Sequence, residues 1–205
     1  GADSANYYNS YDVKSDHGWG ELMELIEKIN FDFDNLGDVL NIDRVLWAFA
    51  VNSAILNLDT YNGYYVHNYY LYRTEDGLFQ MIPWDFDNSF AGAILGWDFF
   101  DPMVVYNYDT YGNQYAPNER PLLEKLLDDP YYKKLYNAHL KTVYTESLID
   151  TDAVRASINQ LQATAYAAVV QDENKLFSMG QYSSNVEENL WTGWGFGGIM
   201  SMVNG

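Results

Sequence analysis

NLDTYNGYYVHNYYLYRTEDGLFQMIPWDFDNSF, residues 57–90, contains two aromatic and branched runs on either side of a short polar turn. The runs cover residues 68–73 and 78–82, and Glu75-Asp76-Gly77 forms the turn between them. Runs of this composition joined by such a turn are typical of a β-hairpin. Because a hairpin brings its two ends together, the residues before position 68 are expected to lie close to those after position 82.

Polar side chains stand at both ends of this hairpin. Asp59, His67 and Asn68 precede the first strand, and Asp85 and Asp87 follow the second. Carboxylate and amide oxygens are hard ligands, which Mg²⁺, Mn²⁺ and Ca²⁺ prefer. The sequence therefore predicts a metal site at the base of the hairpin, with His67 orienting Asn68 or Asp59 rather than binding the ion itself.

Asp85 and Asp87 also have an ordinary interpretation, because Asp87-Asn88 could form a solvated turn after the strand. Two observations favour a functional site instead. In an extended segment the two carboxylates point to the same side. The apolar residues 82–84 indicate that Asp85 emerges from the core, where a carboxylate needs a cation or hydrogen-bond donors.

The rest of the chain is predicted to be mainly helical, which gives an α+β fold with a central β-hairpin. Apolar stripes, caps and first-position prolines predict helices at residues 19–29, 36–40, 44–56, 121–127, 130–148 and 152–173. Residues 88–120 are predicted to be irregular, and residues 183–205 to start as a helix and continue as a glycine-rich coil. The length of 205 residues fits a single domain over residues 1–205.

The charge of the chain argues against two classes of partner. It has 11 Lys and Arg against 29 Asp and Glu, which gives a formal net charge of -18. Nucleic acid and anionic membranes both require a basic face, so neither is expected. No run of about 18 apolar residues predicts a membrane span. The 19 Tyr and 6 Trp could stack on sugars, but packing between strands explains them better.

Two further motifs are weak. Residues 193–198, GWGFGG, match the G-x-G-x-x-G pattern of phosphate-binding loops, but a polar, helix-like segment precedes them where a strand is required. A flexible turn is the better interpretation. His17, His67 and His139 have no partners at zinc-binding spacing, and the helical surroundings of His139 favour a structural role.

The order of the polar residues indicates phosphoryl transfer. Asp59 follows a helix, Asn68 begins the next strand, and Asp85 follows the returning strand. Enzymes of the kinase type use this order, in which the first Asp orients the acceptor hydroxyl and the Asn and second Asp hold metal ions.

At these residues the chain resembles the CotH kinase family, the atypical protein kinases named after spore coat protein H. The resemblance extends from about residue 11 through the C-terminal helices. It rests on Asn52, on NLDTYNG at 57–63, on HNYYLY at 67–72, and on IPWDFD at 82–87 followed by Ser89-Phe90.

The resemblance implies a protein-kinase-like fold and the transfer of phosphate from ATP to Ser or Thr of a protein. It implies that Asp59 is the catalytic residue and that Asn68 and Asp85 bind ATP through a metal ion. Asp87 would be a further metal-binding carboxylate. Mg²⁺ is the expected ion, with Mn²⁺ and Ca²⁺ as alternatives.

The family is associated with spore coats and with secreted or envelope-associated bacterial proteins. The resemblance therefore implies an extracytoplasmic location and a coat or envelope protein as the acceptor. The residues before Asp59 carry neither a Gly-rich loop nor the Lys that grips the ATP phosphates in kinases. The chain thus resembles a C-terminal kinase lobe, with the nucleotide-binding N-terminal lobe expected to be absent and ATP binding expected to be weak or absent.

Two alternatives remain open from the residues. The first is a non-catalytic interaction module of the cell surface or spore coat, in which the carboxylates bind a structural metal ion. The second is a glycoside hydrolase that uses Asp59 and Asp85 as acid and base, which requires an apolar pocket that raises the pKa of one of them.

Overall fold

The computed structural model of the chain describes residues 3–57, 59–63, 66–87, 89, 93–94, 120–188, 190–192 and 201–203. The fold is mainly helical α+β, with an antiparallel hairpin between two groups of helices, as the sequence predicts. In the part of the chain that is described, no helix is both long and apolar enough to cross a membrane.

Helix α1 (Trp19–Phe31) has the predicted apolar stripe on its inner face. Leu22, Leu25 and Ile29 are buried there, at the helical spacing of three and four residues. The predicted helix and its apolar stripe are therefore confirmed, and the helix continues two residues beyond its predicted end at residue 29.

A short 3-10 helix, Phe33–Asp38, follows in place of the α-helix predicted at residues 36–40. Asn35, the residue before the predicted helix, lies inside this 3-10 segment with φ -105° and ψ 17°. Residues 32–41 connect α1 to the next helix, and 3-10 turns are common as connectors.

Helix α2 (Ile42–Ala54) is capped by Asn41, whose side-chain oxygen accepts a hydrogen bond from the N–H of Arg44 over 3.1 Å. The sequence predicted an end near Leu56. The helix ends earlier because Leu56 adopts a left-handed backbone conformation, φ 49°. Side chains all around α2 are buried: Val45, Leu46, Ala48, Phe49, Ala50, Asn52 and Ser53.

Strands β1 (Tyr69–Arg73) and β2 (Phe79–Pro83) form the predicted hairpin. Its register pairs Leu71 with Met81. The N–H of Phe79 donates to the carbonyl of Val39 over 2.7 Å, so the hairpin docks on the segment that leads into α2. Met81 and Phe79 are buried by this docking.

The opposite face of the hairpin is open to solvent. Tyr70, Tyr72, Ile82 and Trp84 are between 38% and 57% exposed, and the ring centroids of Tyr70 and Trp84 lie 5.9 Å apart. Successive residues of a strand point to opposite faces, so this apolar set alternates with the buried one.

Helices α3 (Pro121–Asp128) and α4 (Pro130–Val143) begin with Pro, as predicted, because the first helical position needs no N–H donor. The carboxylate of Asp129 caps α4 by accepting the N–H groups of the first two residues after the proline. Beyond α4 the chain forms a π-helical turn, Tyr144–Leu148, so the helix predicted to reach residue 148 changes its geometry there. Helix α5 (Thr151–Gln171) follows with Asp150 as its cap, close to the prediction.

The C-terminal segment is the main error of the predicted fold. Helix α6 (Met179–Ser184) precedes strands β4 (Leu190–Thr192) and β5 (Ser201–Val203). These two strands and β3 (Ala93–Ile94) form an antiparallel sheet in the order β3-β5-β4. The predicted coil therefore contains two strands. The GWGFGG motif, like most of the predicted irregular region 88–120, lies outside the described residues.

The core lies between α1, α2, α3, α4 and the inner face of the hairpin. Helix α2 is at its centre, since it packs against both α4 and β2. The leucines of α3 complete the core on one side: Leu122, Leu123, Leu126 and Leu127. The last turn of α2, where the candidate site begins, is thereby fixed to rigid elements.

Candidate functional site

The loop of residues 57–63 carries Asp59 and starts where α2 ends. The N–H of Asn57 donates to the carbonyl of Asn52 over 2.9 Å, directly after the left-handed Leu56. The loop therefore folds back against the end of α2.

Asn52 holds the first half of this loop through its side chain. Its Nδ2 donates to Oγ1 of Thr60 over 3.2 Å, and its Oδ1 accepts from Nδ2 of Asn57 over 3.3 Å. The Oδ1 of Asn57 accepts the backbone N–H of Asp59 over 3.1 Å. Asn52, Asn57 and Thr60 are no more than 1% exposed. Buried polar groups need their hydrogen bonds, so this network fixes the backbone at Asp59.

Ser53 and Asn62 hold the second half of the loop. The Nδ2 of Asn62 donates to Oγ of Ser53 over 3.3 Å and to the carbonyl of Phe49 over 3.2 Å. The hydroxyl of Tyr136, from α4, donates to the same Oγ over 2.8 Å. The loop is thus connected to both central helices.

Arg120 and the ring of Tyr61 also hold the second half of the loop. Arg120 is fully buried and donates to the carbonyls of Tyr61 and Gly63. The Tyr61 ring stacks on Phe49 with centroids 5.6 Å apart and meets Tyr69 edge-on at 5.3 Å.

Burial raises the pKa of the Tyr61 hydroxyl well above its ordinary value. The nearby Tyr11 adds to this shift, while the backbone N–H groups of Leu122 and Leu123 oppose it. Burial, followed by Tyr11, likewise raises the pKa of Tyr69. Both phenols therefore remain neutral hydrogen-bonding groups at any ordinary pH.

His67 contacts Asp59 directly, through its Nε2 and the Oδ1 of the carboxylate. The Asp59 side chain is 17% exposed and that of His67 is 53% exposed, so the pair lies at the surface edge of the site. The sequence predicted that His67 orients Asn68 or Asp59; the structure shows its contact with Asp59, and the orienting role stays a prediction.

Asn68 and Asp85 lie at the base of the hairpin, Asn68 just before β1 and Asp85 two residues after β2. The N–H of Trp84 donates to the carbonyl of Asn68 over 3.1 Å. Asn68 has φ 57° and Asp85 has φ 58°, the left-handed region that non-glycine residues seldom adopt. The hairpin ends therefore converge, and they bring together the segment of His67 and Asn68 and the segment of Asp85 and Asp87.

Asp85 has neither the backbone conformation nor the burial that the sequence predicted. With φ 58°, Asp85 is not in an extended segment, so strand alternation does not align it with Asp87. Asp85 is also exposed and does not emerge from the core. Ile82 and Trp84 lie on the open face of the hairpin, which makes the apolar sequence before Asp85 a surface feature.

The predicted magnesium site at the hairpin base would depend on a nucleotide for part of its ligand set. Among the residues described, no three His, Asp or Glu side chains come together closely enough to hold a metal ion by themselves. Mg²⁺ is usually bound through one or two carboxylates together with substrate phosphates. The Asn68 amide and the Asp85 carboxylate offer hard oxygens of this kind, while a place for Asp87 in the ligand set stays a prediction.

Most of the residues that hold the loop were not predicted from the sequence. The polar pair Asn52-Ser53 in an otherwise apolar helix was a signal, because buried polar residues need partners. Tyr136 and Arg120 lie far along the chain from the loop, and no local pattern connects them to it.

His139 has a structural role in the fold. His139 stacks on Trp47 with centroids 4.0 Å apart and contacts Asp43 over 2.8 Å. It thereby joins α4 to α2, outside the candidate site.

Comparison with known proteins gives two matches. A family model described as "CotH kinase protein" matches residues 2–190. The inner spore coat protein H of Bacillus subtilis (strain 168) is 28% identical over 138 residues. That match covers 66% of this chain and 34% of the relative, so the aligned part is about one third of the relative's length.

Proposed function

Because the chain belongs to the CotH kinase protein family, we propose that it transfers a phosphoryl group from Mg·ATP to Ser or Thr of a protein. The observation that carries the proposal is the series of contacts at the hairpin base. Asp59 contacts His67, His67 precedes Asn68, and the Asn68 carbonyl is bonded to the residue before Asp85.

In this reaction Asp59 would orient the acceptor hydroxyl and accept its proton. His67 contacts Oδ1 of this carboxylate and would hold its orientation. The buried bonds from Asn52 and Asn57 fix the loop, so the carboxylate needs little reorganisation during the reaction.

Asn68 and Asp85 would hold the magnesium ion on the phosphates. The bound ion would neutralise charge on the transferring group. The left-handed backbone at both residues supports this role, since strained conformations concentrate at binding and catalytic sites.

We also propose a spore-coat setting, on the basis of the relative's name. The acceptor would then be a coat or envelope protein, and the chain would work in an extracytoplasmic layer. A glycosidase is less well supported, because Asp85 is exposed and not enclosed in an apolar pocket.

The test is a radiolabel assay with γ-labelled ATP, Mg²⁺ or Mn²⁺, and either casein or a spore-coat extract as the acceptor. Asp59→Asn is expected to reduce transfer by about 10²- to 10⁴-fold and to keep Mg·ATP binding. Asp85→Asn is expected to lose both. Unchanged transfer by Asp59→Asn would remove that residue from the mechanism. A wild-type chain that neither binds Mg·ATP nor transfers phosphate would favour the non-catalytic module.

A further inference from the structure

Arg120 is a fully buried cation at the start of α3. Its Nε donates to the carbonyl of Tyr61 over 3.0 Å, and its Nη2 donates to the carbonyl of Gly63 over 2.8 Å. A guanidinium is costly to bury unless good hydrogen bonds compensate for its lost hydration. The interaction therefore favours one particular path of the backbone through residues 61–63.

The second half of the loop and helix α3 each bind the other. Arg120 binds the backbone of Tyr61, and the hydroxyl of Tyr61 lies at the first N–H groups of α3. Gly63 closes the loop by donating its N–H to the carbonyl of Thr60 over 2.9 Å. Any shift of α3 relative to the loop would have to break several buried bonds together.

We propose that Arg120 is a positioning residue for Asp59. By holding the carbonyls of Tyr61 and Gly63, it fixes the half of the loop that follows Asp59, while Asn52 fixes the half that contains it. The effect of Arg120 on catalysis rests on the proposed function. Its effect on the order of the loop does not, and a separate measurement tests it.

Lys125 provides a matched control on the same helix. It also uses a cationic side chain to bind two backbone carbonyls, those of Ile29 over 2.6 Å and Asn30 over 2.9 Å. These carbonyls lie at the end of α1, outside the candidate loop. Lys125→Gln therefore removes the same type of bond without affecting the loop.

The experiment is amide hydrogen exchange, followed by NMR, on the wild type, Arg120→Lys, Arg120→Gln and Lys125→Gln. In the Arg120 variants the amides of Asp59 and Gly63 are expected to exchange about tenfold faster relative to those of α2. In Lys125→Gln this ratio is expected to stay at the wild-type value. Arg120→Lys keeps the charge, so it provides a folded variant where Arg120→Gln does not fold.

Kinetics of phosphoryl transfer provide the second readout. For Arg120→Lys, kcat is expected to fall about 10- to 100-fold with KM for ATP unchanged, because a misplaced catalytic group loses rate without losing binding. Loop amides that exchange at the wild-type ratio in both Arg120 variants would overturn the proposal, as would a faster-exchanging loop with unchanged kcat. A wild-type chain without transferase activity would remove the proposed function, while the exchange ratio would still decide whether Arg120 orders the loop.

Discussion

The backbone N–H of Trp84 donates a hydrogen bond to the carbonyl oxygen of Asn68 over 3.1 Å, one residue pair beyond the end of the β1–β2 ladder. On both strands the chain then leaves the extended conformation, with φ 57° at Asn68 and φ 58° at Asp85. The Asn68 amide and the Asp85 carboxylate therefore both belong to residues with a left-handed backbone at the same end of the hairpin.

This arrangement predicts that metal and nucleotide bind together. Two protein donors bind Mn²⁺ weakly, and the phosphates of ATP supply the missing ligands. In Asp85→Asn the affinity for ATP in the presence of Mn²⁺ is expected to fall by about 10- to 100-fold. Isothermal titration of ATP, with and without Mn²⁺, measures the difference.

Asp76→Asn is the control for this titration, because Asp76 lies on the same hairpin at its opposite end. It is expected to bind Mn²⁺ and ATP like the wild type. Equal losses in the two variants would mean that the hairpin, and not its base, had been disturbed.

The bond between Tyr136 and Ser53 gives a prediction about stability. Tyr136→Phe removes a buried hydroxyl that donates over 2.8 Å, and it leaves Ser53 with one fewer donor. We expect the free energy of unfolding to fall by about 1–2 kcal/mol, as measured by urea denaturation. Tyr131→Phe, on the exposed side of the same helix, is expected to change it by less than about 0.5 kcal/mol. Equal effects of the two substitutions would contradict the contribution of this bond.

The hairpin could be predicted because its signals are local. Strand composition, turn residues and the polar residues at its ends all lie within residues 57–90. The exposure of Asp85 was mispredicted for an equally local reason. Met81 is 2% exposed while Ile82 is 38% exposed, so the strand alternation continues to its end and the apolar run does not lead out of the core.

The missed features depend on contacts that are distant in sequence. Strands β3, β4 and β5 have only two or three residues each, and β3 pairs with a strand at the far end of the chain. Such short strands are stabilised by their partners and have little pattern of their own. The hydrogen bond from Arg120 to the carbonyl of Gly63 likewise joins positions 57 residues apart.

The turn of the hairpin provides a pair of glycine substitutions with opposite signs. Gly77 has φ 88°, and its carbonyl accepts from Nε of Arg73 over 2.9 Å. Gly77→Ala is expected to destabilise the chain by about 1–2 kcal/mol, because a Cβ is strained in this conformation. Gly20 lies in α1, and an added Cβ there would meet nothing within 4 Å.

Gly20→Ala is therefore expected to stabilise the chain by about 0.5–1 kcal/mol through lower backbone entropy in the unfolded state. Thermal or urea unfolding of the two variants measures both changes. A stabilising Gly77→Ala would show that the turn does not need its left-handed residue.

The buried phenols of Tyr61 and Tyr69 predict a loss of stability at alkaline pH. Burial raises the pKa of both above the ordinary value of 10.0 that they regain on unfolding. Above that pH the unfolded chain loses these protons and the folded chain keeps them, so stability is complete below pH 10 and falls as the pH rises. Each phenol contributes a slope of at most about 1.4 kcal/mol per pH unit.

Urea denaturation between pH 7 and pH 11 tests this prediction, with Tyr69→Phe as the comparison. Below about pH 9 the two unfolding free energies are expected to change in parallel, since the phenol is protonated in both states. Above about pH 10 the wild type is expected to lose stability more steeply than Tyr69→Phe, because only the wild type releases that proton on unfolding. Parallel curves up to pH 11 would mean that Tyr69 ionises in the folded chain as readily as in the unfolded one, contrary to its position between Tyr61 and Tyr11.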